Sequence, residues 1–419
     1  KIKNAMVSVK VGDALKPING VSKNIHFSEP DEQIVNFEFE VVATSEIQTI
    51  EVQASGNGEK ASYKVEIDVE NPNPISQKIT TFTLNANADQ TIDFNTYGVA
   101  GSNGAMLEFS TVPPMNFGKR LEYLIRYPHG CIEQTTSGAF PQLYLADIFD
   151  ITYDKQQEIE TNIKGAIQRL STFQGTDGGL SYWPGERQAD DWGTNYAGHF
   201  MLEAKQKGYA LPITFVSNWL LYQKNAARQW STKDSRYNSS LIQAYRLYTL
   251  ALAGQPELAA MNRLRESKSL SNDAKWRLAA AYALAGKKNV AEQLAQSANI
   301  NFLPNQYDYY TYGSPFRNKA MALEAMVAIG DSRQREMAIS LAKELSSPRW
   351  YSTQETSYGL LAMAKMINKN GGKSIDLTFS KNGKSTIVKT DRVLAQRDIG
   401  IAMGSNSISV SNKKGNLVY

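Results

Sequence analysis

Cys131 is the single cysteine in 419 residues, and a glutamine, Gln134, follows it three positions later. The surrounding run is Tyr127-Pro128-His129-Gly130-Cys131-Ile132-Glu133-Gln134-Thr135-Thr136-Ser137. Pro128 and Gly130 make a tight approach, and residues 132–145 read as a helix, which places the thiol at a helix N-terminus. There the dipole and free N–H groups lower a thiol's pKa and favour thiolate. Residues three apart share one helix face, so sulfur and carboxamide meet on the first turn. Condensing them with loss of ammonia would give an internal thioester. A thioester is an activated acyl group: an amine or hydroxyl that reaches it becomes attached through Gln134, and Cys131 is freed. Such a bond lasts only where water is kept away. Aromatic residues near in sequence (Tyr123, Tyr127, Phe140 and Tyr144) are candidates for that shield, as are Tyr182, Trp183 and Trp192. The same thiol also suits a cysteine hydrolase, with Cys131 as nucleophile and His199 or His129 as base, in which case Gln134 is incidental.

Composition narrows the surroundings of this pair. Lys and Arg number 45 against 41 Asp and Glu, a net charge of +4 with no basic block, so there is no electrostatic footprint for nucleic acid. No apolar run approaches the roughly 18 residues that a membrane span needs. One cysteine excludes intrachain disulfides and multi-cysteine metal sites, and three scattered histidines (His26, His129 and His199) speak against a His-rich one. Neither a metal nor a cofactor is expected. The chain opens at Lys1 without Met and reads as a piece of a longer protein, so the lack of a targeting signal says nothing of location.

The elements that must position the pair fall into three runs. Residues 1–70 hold ten valines in period-two alternation, as in Val7-Ser8-Val9-Lys10-Val11 and Val35-Asn36-Phe37-Glu38-Phe39-Glu40-Val41. Gly12-Asp13, Asn19-Gly20 and Gly56-Asn57-Gly58 supply turns, which predicts an antiparallel β-sandwich over 1–70. Asn71-Pro72-Asn73-Pro74 is a boundary signal, and a second β-domain is expected over 71–117 and 371–419, its strands including residues 105–112, 375–379, 385–388 and 407–410. The last strands are too few for a core alone, so they are expected to complete the domain begun before residue 118. Residues 118–370 read as helical: 241–300 alone contain fourteen alanines and a single valine. Helices stop at Gly254, Gly286 and Gly330, 32 and 44 residues apart, the pattern of a loose array of αα-hairpins. Such an array either stacks as an open solenoid or closes as a toroid. A toroidal enzyme, a terpenoid cyclase or a carbohydrate-active one, would use acidic clusters or paired carboxylates, for which Asp190-Asp191 and the Trp/Tyr-rich 182–196 segment are the only hint, although an adjacent acidic pair before a helix reads as a cap. A plain α-solenoid interaction module explains the hairpins but not the cysteine. The tyrosine-rich run 307–313 reads as a packed loop, with an exposed binding patch as the alternative.

The longer context of the cysteine resembles the thioester signature of bacterial alpha-2-macroglobulin proteins, through Tyr127, Pro128, Gly130, Cys131, Glu133, Gln134 and Thr135-Thr136-Ser137. Pro113-Pro114-Met115-Asn116 and Leu121-Glu122-Tyr123-Leu124 resemble the run that leads into it. Asp177-Gly178-Gly179-Leu180-Ser181-Tyr182-Trp183, Trp192-Gly193-Thr194-Asn195-Tyr196 and Gly208-Tyr209-Ala210-Leu211-Pro212 resemble the turn and helix that follow, so the likeness covers residues 105–215. It implies a multi-domain α+β chain: an α/α-toroid thioester domain inserted in a CUB-like β-sandwich and preceded by a macroglobulin-like β-sandwich. It implies Cys131 and Gln134 as the bonded pair, with Tyr127, Pro128, Gly130 and Glu133 in support. The function implied is a broad-range protease trap, not an enzyme. A protease cuts a bait region, the molecule rearranges, and the thioester captures it through amines such as lysine side chains in one acyl transfer. The parent is expected to be exported to the periplasm or cell envelope, touching membrane only through an anchor elsewhere in the protein. A single cysteine favours a bacterial over an animal member, since the latter rely on disulfides. His129 departs from the pattern, where a tyrosine is usual, and reads as a surface-loop substitution. His199 reads as a solvated or core-edge imidazole and not as an acyl-transferring histidine, so amines are expected to react ahead of hydroxyls.

Overall fold

The structure is a computed structural model that describes residues 2–42, 45–69, 76–97, 101–112, 129–231, 239–268, 270–303, 307–347, 349–370, 374–413 and 416–419. Tyr123, Tyr127, Pro128, the two runs within 113–124 and the Asn-Pro boundary at 71–74 therefore lie outside the described residues.

The N-terminal run folds as antiparallel sheet. Strands β1 (Asn4–Val11), β2 (Leu15–Pro17), β3 (Ser22–His26), β4 (Phe39–Val41), β5 (Ser45–Gly56) and β6 (Glu59–Val69) form a four-stranded sheet ordered β3-β1-β5-β6 and a β2-β4 pair. Asn57 and Gly58 take φ of +51° and +84°, the two left-handed residues of a type I′ hairpin between β5 and β6. Alternation predicts a strand from 35 to 41, yet only Phe39–Val41 pairs. Its partner β2 supplies three residues and ends at Pro17, and beyond it a single backbone bond, from Ile18 N–H to the Glu38 carbonyl at 2.9 Å, extends the pairing.

The second β-domain is built from both ends of the remaining chain. Strands β7 (Ala88–Asn95) and β8 (Ala105–Ser110) precede the helices, β9 (Phe149–Asp150) lies among them, and β10 (Ile375–Lys381), β11 (Lys384–Thr390), β12 (Leu394–Ile399) and β13 (Ser405–Asn412) follow. They pair as β11-β10-β13-β7 and β8-β12-β9. Ile408 sits opposite Ile92, and Ala395 opposite Phe109, so the helical region is an insertion between strands of the same sheets. Alternate residues Ile375, Leu377 and Phe379 of β10 point into a core with Leu84, Phe109, Val388, Ile408 and Val410.

Twelve helices are seen among the described residues: α1 (Ile132–Ala139), α2 (Gln142–Ile148), α3 (Tyr153–Ser171), α4 (Asp191–Gln206), α5 (Phe215–Gln229), α6 (Ser239–Leu252), α7 (Leu258–Arg265), α8 (Asn272–Leu284), α9 (Lys288–Gln296), α10 (Pro315–Ile329), α11 (Gln334–Leu345) and α12 (Thr353–Asn370). The stretch 132–145, expected as one helix, is two. Pro141 lacks an N–H and cannot continue the ladder, so α1 stops and α2 starts at the proline. Gly254, Gly286 and Gly330 do end helices, each in the left-handed region. Neighbour contacts run α1–α4–α6–α8–α10–α12 and back to α1, so the array closes as a toroid. The even-numbered members of this inner ring are buried around most of their circumference, as in Trp192–Ala204 of α4. Small alanines at 279, 280, 281, 320, 322 and 325 are buried along α8 and α10. Helices α3, α5, α7, α9 and α11 flank that ring, each burying one stripe.

Candidate functional site

Cys131 is the N-cap of α1, in extended conformation (φ −72°, ψ 176°). A capping box ordinarily pairs Ser or Thr with Glu or Gln three residues on. Here Cys131 and Gln134 fill the two places: the sulfur takes the backbone N–H of Gln134, and the Cys131 N–H donates to Gln134 Oε1 at 3.3 Å. Two reciprocal bonds thus hold sulfur and carboxamide on one turn. Gly130 makes the space for them. Its φ is +89°, and a Cβ there would come within 2.1 Å of Gln134 Oε1 and 3.0 Å of its Cδ. Arg169 of α3 holds the approach, its Nη2 donating to the Gly130 carbonyl at 2.6 Å and its Nε to Thr135 Oγ1 at 3.3 Å. The cysteine is 3% exposed, whereas Gln134 faces solvent.

Segments far apart in sequence converge on this turn. The Tyr182 carbonyl accepts from Ile132 N–H at 3.2 Å, and its hydroxyl is hydrogen-bonded to the Cys131 sulfur. The Tyr312 hydroxyl donates to Tyr182 Oη at 2.9 Å. Burial and the bond to Cys131, offset in part by that donation, push the Tyr182 phenol up to about 12. Trp183 is half exposed and stands edge-on to Tyr182, with ring centroids 5.9 Å apart. Thr194 Oγ1 pairs with both backbone groups of Leu180, and Gly193 lets α4 approach Ile132, whose Cγ2 a Cβ would meet at 2.7 Å. Glu133 points inward and is buried; Ser137 donates to it at 2.7 Å and Thr353 Oγ1 to both oxygens at 3.1 Å. Burial raises its pKa against these two donors. The Glu133–Thr353 bonds fasten the first ring helix to the last.

Of the aromatics considered as a shield, Tyr182 touches the thiol and Trp183 backs it. Phe140 instead packs on Tyr196, His199 and Phe200, Tyr144 donates to Glu203, and Trp192 lies against Tyr245 and Arg317. Arg169, Tyr312 and Thr353 are contributors that sequence reasoning did not select. Tyr312 sits in the tyrosine-rich run, but nothing local ties that run to the cysteine.

His199 corrects an expectation. It is fully buried, neither solvated nor at the core's edge, because α4 is an inner-ring helix with protein on every side. Its Nε2 meets Glu203 at 2.7 Å and its Nδ1 meets Tyr245 at 3.0 Å. Burial lowers its pKa against the pull of Glu203 and Glu324. Among the described residues no contact joins the His199 imidazole to the Cys131 thiol, as a hydrolase dyad of these two would require. His199, Glu203 and Glu324 do place ligand atoms within 4.8 Å of one another. The Lys365 ammonium bonds both carboxylates, with Glu324 at 2.5 Å, and Arg277 adds 2.6 Å to Glu324. That group is a charge-balanced ion-pair knot, with lysine in the cation's place. His129 is exposed. The acidic pair caps and pairs locally: Asp190 accepts from Gly193 N–H at 2.5 Å, and Asp191 meets Arg246 at 2.5 Å. The 307–313 loop is closed on itself, yet Tyr307, Tyr309 and Tyr310 are exposed.

Comparison with known proteins finds a family model, relatives and solved structures that the chain resembles. Residues 105–241 match the A-macroglobulin TED domain. Over 348 residues the chain is 26% identical to an alpha-2-macroglobulin of Xylella fastidiosa (strain Temecula1), a match that takes in 77% of this chain and 21% of that protein. The chain thus spans about a fifth of that relative's length. Its fold is similar to the crystal structure of native alpha-2-macroglobulin from Escherichia coli spanning domain MG7 to the C-terminus, with TM-score 0.64, 18% identity and coverage of 100% of this chain and 68% of that one. It is also similar to Salmonella alpha-2-macroglobulin reacted with methylamine (TM-score 0.63, 20% identity, 99% and 29% covered). A third likeness is to trypsin-activated alpha-2-macroglobulin from Escherichia coli (TM-score 0.53, 17% identity, 99% and 30% covered). The chain is thus similar to bacterial alpha-2-macroglobulins, and residues 105–241 match the TED domain of that family.

Proposed function

We propose that Cys131 and Gln134 form an internal thioester and that the chain is the reactive part of a protease trap. The observation that carries this reading is the reciprocal cap of α1, with Gly130 leaving open the volume that the carboxamide fills. In formation, the thiolate attacks the Gln134 carboxamide carbon, the C–N bond breaks, and ammonia leaves with the thiol proton. In capture, an amine nitrogen bonds to the same carbon, the C–S bond breaks, and the proton lost by the amine ends on the Cys131 sulfur. Each site reacts once, so the activity is inhibition and not turnover. Proteases are the partners that a trypsin-activated relative suggests. A methylamine-reacted relative is consistent with amine chemistry. Amines react ahead of hydroxyls in this reading, because His199 is engaged inside the ring by Glu203 and Tyr245. Proteases met outside the cytoplasm place the parent in the periplasm or cell envelope.

Intact mass of the full-length protein before and after methylamine tests the proposal, with glycerol as a parallel nucleophile and Cys131→Ala as control. The expected wild-type mass is one ammonia lighter than the sequence, rising by one methylamine on treatment and faster than with glycerol. A full sequence mass with no amine uptake would sink the reading.

A further inference from the structure

We propose that Tyr182 is a catalytic hydrogen-bond donor to the sulfur that leaves when the thioester opens, and that Tyr312 is the residue that positions it. This rests on the thioester reading and adds to it the groups that receive the leaving charge.

Breaking the C–S bond puts a negative charge on a sulfur that is 3% exposed. A charge so placed is unstable unless donors face it. The backbone N–H of Gln134 is one donor, and the helix N-terminus adds its dipole. The Tyr182 hydroxyl is the side-chain donor on that sulfur. Its oxygen in turn accepts from Tyr312 at 2.9 Å, and a hydroxyl that accepts one bond donates a stronger one. The order of donation is Tyr312 to Tyr182 to sulfur, directed at the atom where charge develops. With its phenol pushed up to about 12, Tyr182 keeps its proton while the thiolate forms. The proton that the attacking amine loses passes to solvent and returns to the sulfur, so atoms and charge balance without a tyrosinate.

The loop that carries Tyr312 is built to hold the hydroxyl there. Tyr312 takes φ of +53°, a left-handed conformation that is costly for a residue with a side chain and persists only where its surroundings fix it. Asp308 and Gly313 exchange backbone bonds at 2.9 and 2.7 Å, and the Asp308 carboxylate accepts from Tyr310 N–H at 3.0 Å and Thr311 Oγ1 at 2.7 Å. Arg317, buried in α10, donates to the Thr311 carbonyl at 2.9 Å and to its Oγ1 at 3.0 Å. The loop is thereby anchored to the inner ring. At the other end, the Tyr182 carbonyl is bonded to the first N–H of α1. Both tyrosines are fixed by backbone, so the pair is preorganised around the sulfur.

The test uses full-length wild type, Tyr182→Phe and Tyr312→Phe, with intact mass to report the thioester and methylamine uptake timed in each. Tyr182→Phe is expected to keep the mass deficit of one ammonia and take up methylamine about 100-fold more slowly. Tyr312→Phe is expected to slow uptake by less. In the amine-opened proteins, the ultraviolet thiolate absorbance measured against Cys131→Ala is expected to titrate at higher pH in both variants, a readout that a merely structural tyrosine would leave unmoved. If wild type carries no thioester, the preceding reading falls and this one with it. If wild type and Tyr182→Phe both carry the bond, react at one rate and titrate together, this inference alone is overturned. If Tyr182→Phe does not form the bond, its free thiol is titrated directly: a raised pKa supports the role, and an unchanged one overturns it.

Discussion

Gly130 is the residue on which the Cys131–Gln134 turn depends most narrowly. Two independent penalties fall on any side chain there: the left-handed φ of +89° and the 2.1 Å approach of a Cβ to Gln134 Oε1. Gly130→Ala is expected to destabilise the protein by about 1–2 kcal/mol and to swing the carboxamide off the capping box. Denaturant unfolding measures the first effect, and intact mass the second, through loss of the ammonia deficit that the proposed thioester carries. A variant that keeps the deficit would show that the turn tolerates a methyl group. At this scale the sequence was informative, because a capping box needs its two members three positions apart and Cys131 and Gln134 satisfy that spacing on their own. Arg169, Tyr312 and Thr353 satisfy no local rule. They reach the turn only because α3, the 307–313 loop and α12 pack beside it.

Among the elements, α1 and α12 decide whether the array is a ring. Their shared polar contact is Thr353 Oγ1 on both oxygens of Glu133, in a buried setting where each lost bond tells. Thr353→Val keeps the shape and removes the donor, leaving Ser137 alone on a buried carboxyl. The expected cost is about 1–2 kcal/mol, read as a lower unfolding midpoint in denaturant. An unchanged midpoint would mean that closure rests on apolar packing alone. Elements were legible where their signals are local: Gly254, Gly286 and Gly330 end helices, and Asn57-Gly58 turns a hairpin. Two elements were misjudged for want of a neighbour or a breaker. The 35–41 alternation has a partner strand only from Glu38 onward, and Pro141 divides a run whose apolar spacing is continuous.

Across the whole molecule, the ion-pair knot inside the ring ties α4, α8, α10 and α12 together through Glu203, Arg277, Glu324 and Lys365. Burial acts to raise the Glu203 carboxyl, but Lys365 and His199 outweigh it and draw the group down to about 2. A carboxylate depressed in the folded state contributes stability that is complete above its ordinary value of 4.5 and is lost as pH falls toward about 2. Lys365→Met removes the shared cation and leaves two buried carboxylates facing His199 and Arg277. The expected loss is about 3–5 kcal/mol at neutral pH. The deficit against wild type should shrink on acidification, since the variant's carboxyls can then be neutral. Unfolding midpoints of both proteins from pH 7 down to 3 check the sign, and a gap that widens on acidification would contradict it.

The sequence by itself determined the features that depend on a few consecutive residues: the cysteine–glutamine turn, the strand alternation, the glycine stops and the order of β, helical and β runs. Tertiary structure decided whether the hairpins close, which strands on either side of the insertion pair, where His199 lies, and which tyrosine reaches the sulfur. The physical reason is separation along the chain. Propensity and capping act within a turn or two, whereas β7 on β13, Thr353 on Glu133 and Tyr312 on Tyr182 are set by packing across the whole insertion. Inner-ring helices add a second reason. Buried on nearly every side, they lose the polar–apolar stripe that marks an exposed face, so a polar side chain such as His199 gives no sign in sequence that it points inward.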